Sequence, residues 1–241
     1  MKKMISLLFC ILLSFAAMAQ QMGAPKYDDI KKVVSDPKSA FYYPELLQRY
    51  QQGDSTFTID ECCHLYFGYV FQPEWNPYGL RNSETKYLMQ LSMPDNLDTA
   101  LAAIAKAENI LKNDPFNIDV LMIAFYLASS DLVNNREKAE SFNNRIGIVL
   151  NAISSCGSGQ SPEDAFYVIS ISHEYTILSL LGFQLKSQSL SGGCDVMELQ
   201  ENDYDIEKLY FNVSKILEKE SELFGGGPKK SKKEKNQKSN K

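Results

Sequence analysis

Apolar residues recur with helical spacing between positions 97 and 153, in three successive segments. In the first segment, Leu97, Leu101 and Ile104 fall on i, i+4 and i+7. This is the spacing of one face of a half-buried helix. The helix is predicted to end before Pro115, because the residue before a proline is disfavoured in the helical region.

The other two segments complete a predicted stack of helices. Residues 117–130 are apolar nearly all round, which predicts the most buried helix. After the turn-forming pair Asn134-Asn135, Phe142 and Ile146 begin the apolar stripe of a third helix. The segments combine small residues, paired helices and a proline that ends a helix. This pattern is similar to a tetratricopeptide repeat, although the tryptophan and glycine positions of that motif are absent. The pattern therefore predicts either an irregular helical repeat or an unrelated helical bundle.

Shorter helices are predicted before this stack. Residues 27–34 predict a short helix, and residues 44–52 predict a helix with proline at its first position, where the missing N–H costs nothing. Thr58 and Glu61 form a capping-box pattern, which predicts a helix over residues 59–71.

After residue 154 the pattern becomes that of strands. Residues 166–172 alternate and are rich in β formers, and the apolar run from Thr176 fits a helix or a buried strand, of which we expect the strand. Gly192-Gly193 predicts a hairpin turn. The later elements are a return strand over 194–199, a strand over 209–213 and a helix over 215–224. The predicted fold is α+β: a predominantly helical, tetratricopeptide-like body, then a small antiparallel sheet and a C-terminal helix.

The amino terminus has the features of a secretory signal peptide. Lysines precede an apolar run over residues 4–16, and an A-x-A site follows it. The run is shorter than the roughly 20 residues that span a bilayer. We expect cleavage between Ala19 and Gln20, which gives an exported protein, periplasmic or secreted, with no transmembrane segment after signal removal.

The net charge of −5 hides an asymmetry. Residues 228–241 contain seven lysines and one glutamate, and together with Lys2 and Lys3 they have a net charge of +8, which leaves −13 on the body between them. An acidic body argues against nucleic acid as a partner. The tail is predicted to be disordered, either as a tether to anionic lipid or polyanion or as a solubilising extension.

The predicted organisation is a signal peptide (1–19), an N-terminal extension (20–40), a single globular domain (41–224, helical over 41–154 and sheet plus helix over 155–224) and a disordered lysine-rich tail (225–241).

Two histidines and four cysteines are candidates for chemistry in the mature chain. His64 and His173 each have a glutamate nearby, so they predict a two-histidine, one-carboxylate metal set if the fold brings them together. The alternative is that each histidine is a hydrogen-bonded, partly buried residue. Cys156 and Cys194 flank glycine-rich turns and are a candidate disulfide in an oxidising compartment; the alternative is free thiols.

Aromatic residues crowd into the amino-terminal helices and the loop after them. Aromatic side chains with a polar group are favoured at recognition sites, so they predict a surface for protein, peptide or envelope glycan. The alternative is an ordinary core. The candidate surface consists of His64, Tyr66, Tyr69, Trp75, Tyr78, His173, Glu174 and Tyr175.

Several blocks of sequence resemble the family known as domain of unknown function 4919, over about residues 42–218. Its members look like exported proteins of Gram-negative bacteria, and the family implies no established activity. The blocks that carry the resemblance include Tyr43-Pro44-Glu45-Leu46, His64-Leu65-Tyr66-Phe67-Gly68-Tyr69, His173-Glu174-Tyr175 and Leu209-Tyr210-Phe211-Asn212-Val213.

The sequence contains no zinc-protease, nucleophile-elbow or phosphate-loop motif. We therefore expect a non-catalytic binding module of the bacterial cell envelope, with no cofactor. The alternative is a metal-binding protein or metal-dependent hydrolase that uses His64 and His173.

Overall fold

The computed structural model describes residues 22–77 and 83–223, and within these ranges the chain has the predicted α+β fold. The predicted signal peptide with its cleavage site at Ala19 and Gln20, the candidate surface residue Tyr78 and the lysine-rich tail lie outside the described residues. The helices are α1 (Tyr27–Val34), α2 (Tyr43–Gln51), α3 (Ile59–Gly68, continued by a 3-10 turn over Tyr69–Phe71), α4 (Ser83–Gln90), α5 (Leu97–Asn113), α6 (Ile118–Ser129), α7 (Arg136–Ser154), α8 (Ile171–Leu181) and α9 (Ser214–Leu223). The strands are β1 (Phe166–Tyr167), β2 (Leu185–Ser191), β3 (Cys194–Leu199) and β4 (Lys208–Asn212).

Local polar signals set where several helices begin. The predicted capping box is confirmed, since Thr58 and Glu61 each accept a hydrogen bond from the other's backbone N–H. The side chains of Asn96, Asn117 and Asn135 cap α5, α6 and α7, each accepting from the backbone N–H three residues ahead. Helix α4 was not predicted from the sequence.

The predicted strand from Thr176 is wrong, because this segment belongs to helix α8. Its buried residues include Glu174, Ile177 and Leu178, which lie on one helical face. Gly182 follows with φ +77°, the left-handed conformation that ends many helices and that glycine adopts without a steric penalty. Packing of this face has overridden the strand propensity of the run.

Replacing Gly182 is expected to reveal this helix end. Gly182→Ala should lower the free energy of unfolding by about 1 kcal/mol, because a Cβ disfavours the left-handed conformation. No other atom lies within 4 Å of the added Cβ, so the effect comes from the backbone alone. Gly182→Asn should lose less, since asparagine tolerates this conformation. The free energies of unfolding of the original protein and the two variants are measured in urea. An unchanged stability of Gly182→Ala would contradict the left-handed helix end at Gly182.

The sheet has the strand order β1-β4-β3-β2. The predicted hairpin is confirmed: β2 pairs antiparallel with β3 across Gly192 and Gly193, and β3 pairs antiparallel with β4. The prediction of a purely antiparallel sheet is wrong in one pairing, since the two-residue strand β1 lies parallel to β4. Parallel neighbours require a long crossover, and the chain from α8 to β3 provides it.

Helix α7 joins two hydrophobic cores. Its carboxyl-terminal half, with Val149 and Ile153, packs in a core with α1, α3, the sheet and α8, whereas Phe142 packs in a second core with α4, α5 and α6. Ile30 and Val34 are buried in the first core, so the helix within the predicted N-terminal extension packs into the same unit. In the described ranges, no helix has the length and apolarity needed to cross a membrane.

Candidate functional site

A buried hydrogen-bond chain links two of the sequence blocks that carry the family resemblance, the one with Tyr66 and the one with His173. The Nδ1 atom of His173 lies 2.7 Å from the hydroxyl oxygen of Tyr66, and its Nε2 atom lies 2.9 Å from the carbonyl oxygen of Phe116. A carbonyl only accepts, so Nε2 carries the hydrogen and Nδ1 accepts from the tyrosine hydroxyl. That hydroxyl in turn accepts from the backbone N–H of Ile169 at 3.3 Å. Burial lowers the pKa of His173 to about 4, so the imidazole is neutral at pH 7 and the chain of donors is complete.

This chain of hydrogen bonds fixes three separate segments to one another. Tyr66 belongs to α3, Phe116 to the α5–α6 connection, and His173 to α8. Trp75 adds a further link, since its indole N–H donates to the carbonyl oxygen of Ile169 at 3.0 Å. The Tyr69 hydroxyl donates to the Asn113 carbonyl oxygen at 3.2 Å. These aromatic side chains therefore hold loops in place from inside the fold.

The predicted aromatic recognition surface is accordingly wrong for the residues that the structure describes near α3. Tyr66 is 0% exposed, Tyr69 6% and Trp75 7%. Among the other members of that predicted surface, His173 and Glu174 are buried, whereas the exposed Tyr175 donates to the side chain of Gln188 at 2.6 Å. For Tyr66, Tyr69, Trp75, His173 and Glu174, the alternative, an ordinary core, is the arrangement found.

His64 and His173 do not come together to form the predicted metal set. His64 precedes Tyr66 by two helical residues, which turns the two side chains about 200° apart. Tyr66 points to His173, whereas His64 stacks on Phe41 with 3.9 Å between ring centroids and places Nδ1 2.7 Å from the Asp60 carbonyl oxygen. In the part of the chain that the structure describes, no three His, Cys, Asp or Glu side chains converge as metal ligands would.

The predicted Cys156–Cys194 disulfide is not formed either. All four cysteines of the described chain are free and buried. Cys63 lies with its Sγ 3.1 Å from the Ser155 hydroxyl oxygen, and Cys156 places its Sγ 3.4 Å from the Ala152 carbonyl oxygen. Burial raises the pKa of the Cys156 thiol, and the neighbouring Cys63 raises it further. The thiols are thus protonated core residues.

Glu174 is a fully buried acid beside a second carboxyl group. Its pKa is raised to about 9, first by burial and then by the neighbouring Asp195. Neither carboxyl oxygen has a hydrogen-bond partner of ordinary geometry in the described structure. Asp195 on β3 accepts from the Gln188 amide at 2.9 Å. Glu174 therefore keeps its proton at neutral pH, and it is 0% exposed, so no substrate reaches it. No local sequence pattern pointed to Asp195, which comes near Glu174 only through the packing of α8 on the sheet.

A polar groove of about 480 Å³ lies between the end of α2 and the amino-terminal half of α7. Its volume is within the range of ligand sites. It is built on rigid elements: the Asn144 amide donates to the Gly53 carbonyl oxygen at 2.9 Å and ties the two walls together. The lining residues are Gln51, Gln52, Gly53, Glu108, Asn135, Glu137, Lys138, Glu140, Ser141, Phe142, Asn144 and Arg145.

Arg145 is the unusual residue of this groove. It is only 6% exposed, and its guanidinium group lies 4.9 Å from the centre of the Tyr50 ring. No ion pair of the described residues includes Arg145, and its Nε has no hydrogen-bond partner. Buried charged groups are normally paired, so Arg145 has unused capacity to donate to an acceptor. Sequence analysis missed it because an arginine in an amphipathic helix usually faces solvent.

Together these features define an α+β protein with a helical body, an aromatic core joined by hydrogen bonds, and a polar groove lined by a buried arginine. The chain belongs to the family described as domain of unknown function (DUF4919), whose model matches residues 28–222. The resemblance seen in the sequence is thereby confirmed. No curated protein and no solved structure matches the chain.

Proposed function

We propose that this protein is an exported, non-catalytic binding module of a Gram-negative cell envelope, and that the groove between α2 and α7 holds its ligand. The single observation that carries the proposal is Arg145, a buried cation without a carboxylate partner at the wall of a groove of ligand size. The signal peptide predicted from the sequence supports the location. The helical stack α5–α7, read as an irregular tetratricopeptide-like unit, supports a role in presenting a groove.

Two further features support binding over catalysis at this place. Glu174, the acid whose pKa is raised most clearly, lies in the core and is not among the residues that line the groove. The residues along the groove are mainly amides, a hydroxyl and paired charges: Lys138 binds Glu108 at 2.7 Å, and Arg136 binds Glu140 at 2.7 Å. Such groups can hydrogen-bond a ligand. They do not form the pair of a nucleophile and an adjacent general base that covalent catalysis needs.

Site-directed photo-cross-linking in cells tests the binding role. A photoreactive residue at Glu137, which is exposed and lines the groove, should give a discrete adduct in envelope fractions. The same residue at Lys32, exposed on α1 and outside the groove, is the control and should not. Equal adducts at both positions, or none at Glu137, would count against a ligand in the groove.

Export is tested separately by the amino terminus of the protein recovered from periplasmic and culture fractions. The proposal expects a chain that begins at Gln20 in one of these fractions. An intact chain that starts at Met1 in the cytoplasm would refute the location, whatever the outcome of cross-linking.

A further inference from the structure

We infer that the groove takes a short, extended peptide segment that presents a carboxylate to Arg145, an inference that rests on the proposed binding function. It concerns the class of ligand. Three properties of the groove lead to it: the state of Arg145, the charge balance along the walls, and the length and chemistry of the groove.

The chemistry of Arg145 selects the anion. A guanidinium group donates through a planar fork that matches a carboxylate with two parallel hydrogen bonds. The side chain is held in place, since its guanidinium group lies over the rings of Tyr50 and Phe142, 4.9 and 5.9 Å from their centres. An ordered arginine loses less entropy when it binds, so a carboxylate at this point gains more affinity than at a mobile surface arginine.

The charges along the groove do not repel a single carboxylate. The lining carries three acidic residues, Glu108, Glu137 and Glu140, and the basic residues Lys138 and Arg145, with Arg136 paired to Glu140 at the rim. Since Glu108 and Glu140 are ion-paired to Lys138 and Arg136, their charges are largely compensated. With Arg136 counted, the groove is therefore close to neutral, although the body of the protein is acidic. Among the described residues, Glu137 and Arg145 are the groove charges outside any ion pair, and Arg145 has only the neutral Tyr50 hydroxyl beside it.

The length and chemistry of the groove favour a peptide. The lining runs along α7 from Asn135 to Arg145, about 15 Å at 1.5 Å per residue, which equals about four or five residues of extended chain at 3.3 Å each. Side-chain amides at Gln51 and Gln52 offer both donors and acceptors to a backbone. The aromatic lining residue Phe142 is 3% exposed, so it offers no open ring face to a sugar.

The test uses two pools of acetylated tetrapeptides built from alanine, serine, leucine, asparagine and tyrosine, which differ only at the carboxyl terminus. One pool has a free carboxylate and the other a terminal amide. Binding to the mature protein is followed at pH 7 by the Nε–H NMR signal of Arg145, assigned by its loss in Arg145→Lys. The free-acid pool should shift this signal saturably and bind at least tenfold more tightly than the amide pool.

Matched variants separate a specific pair from general charge. Arg145→Gln and Arg145→Lys, followed through the backbone signal of Ser141, should bring the acid pool down to the affinity of the amide pool. Lys32→Gln removes the same charge from an exposed side chain outside the groove and should leave binding unchanged. The comparison of acid with amide on the unaltered protein stands even if an Arg145 variant folds poorly.

Equal binding of both pools, or no binding of either, would overturn the inference. A neutral chito-oligosaccharide that shifts the Arg145 signal while the peptides do not would also overturn it, but it would leave the binding module in place. A partner cross-linked at Glu137, together with equal binding of the acid and amide pools, would likewise overturn the inference and leave the binding module in place. Conversely, peptide binding without a cellular adduct would count against the proposed function alone.

Discussion

His173→Ala is expected to lower the free energy of unfolding by about 4 kcal/mol, a large part of the stability of a domain of this size. The ring is 2% exposed, so its removal leaves a cavity in the core. The hydroxyl of Tyr66 and the carbonyl of Phe116 would also lose their partner. A buried polar group that loses its hydrogen bond costs about 1–3 kcal/mol.

Urea unfolding followed by circular dichroism measures this loss, and the second histidine supplies the matched control. His64→Ala removes the same side chain from a partly exposed site, where it stacks on Phe41, and should cost less than about 1 kcal/mol. Tyr66→Phe keeps the ring and removes only the hydroxyl, so it should lie between the two, at about 1–3 kcal/mol. Equal losses for the two histidine variants would show that the buried chain of hydrogen bonds does not stabilise the fold.

The same residues show how far sequence reasoning reaches. The periods of apolar residues, the turn-forming pair Asn134-Asn135 and Pro115 predicted the helices of the central stack, because these signals are local. The burial of the Tyr66–His173 pair could not be predicted, since the two residues lie 107 positions apart in the chain. An aromatic residue with a polar group suits a recognition surface or a satisfied core position equally well, and only tertiary packing decides which.

Helix α8 shows where local signals fail. Its run of isoleucine and leucine fits a buried strand as well as a buried helix, since a fully buried element shows little periodicity. Gly182 was the available signal, because glycine marks helix ends more often than strand interiors. The groove was hidden for a different reason. Gln51, Gly53 and Arg145 are far apart in the chain, and no spacing between them predicts that α2 and α7 lie together.

Glu174→Gln is expected to flatten the pH dependence of stability above neutrality. The pKa of Glu174 is raised in the folded protein to about 9, from 4.5. The native state therefore binds a proton that the unfolded state has released, and the stability it contributes below pH 4.5 is lost as the pH rises toward 9. The loss is about 1.4 kcal/mol for each pH unit in this window. Glutamine mimics the neutral acid at every pH, so the variant should be more stable than the original protein at pH 7 and more so at pH 9.

The interval from pH 7 to 8 isolates this group from the other buried residues, because the buried thiols, whose pKa is raised by burial, act in the same sense only as the pH approaches 9. His173, whose pKa is lowered to about 4, acts in the opposite sense, since its contribution is lost only as the pH falls. Burial raises the pKa of Asp114 to about 7, so the stability that this group contributes is largely lost by that pH. Urea unfolding at half-unit steps should give a falling curve for the original protein and a nearly level one for Glu174→Gln. Glu198→Gln, at an exposed glutamate whose pKa is lowered by Ser187 and Lys208, should keep the falling curve. Parallel curves for the original protein and Glu174→Gln would mean that Glu174 is ionised in the fold, and that the packing of α8 on β3 tolerates a buried charge.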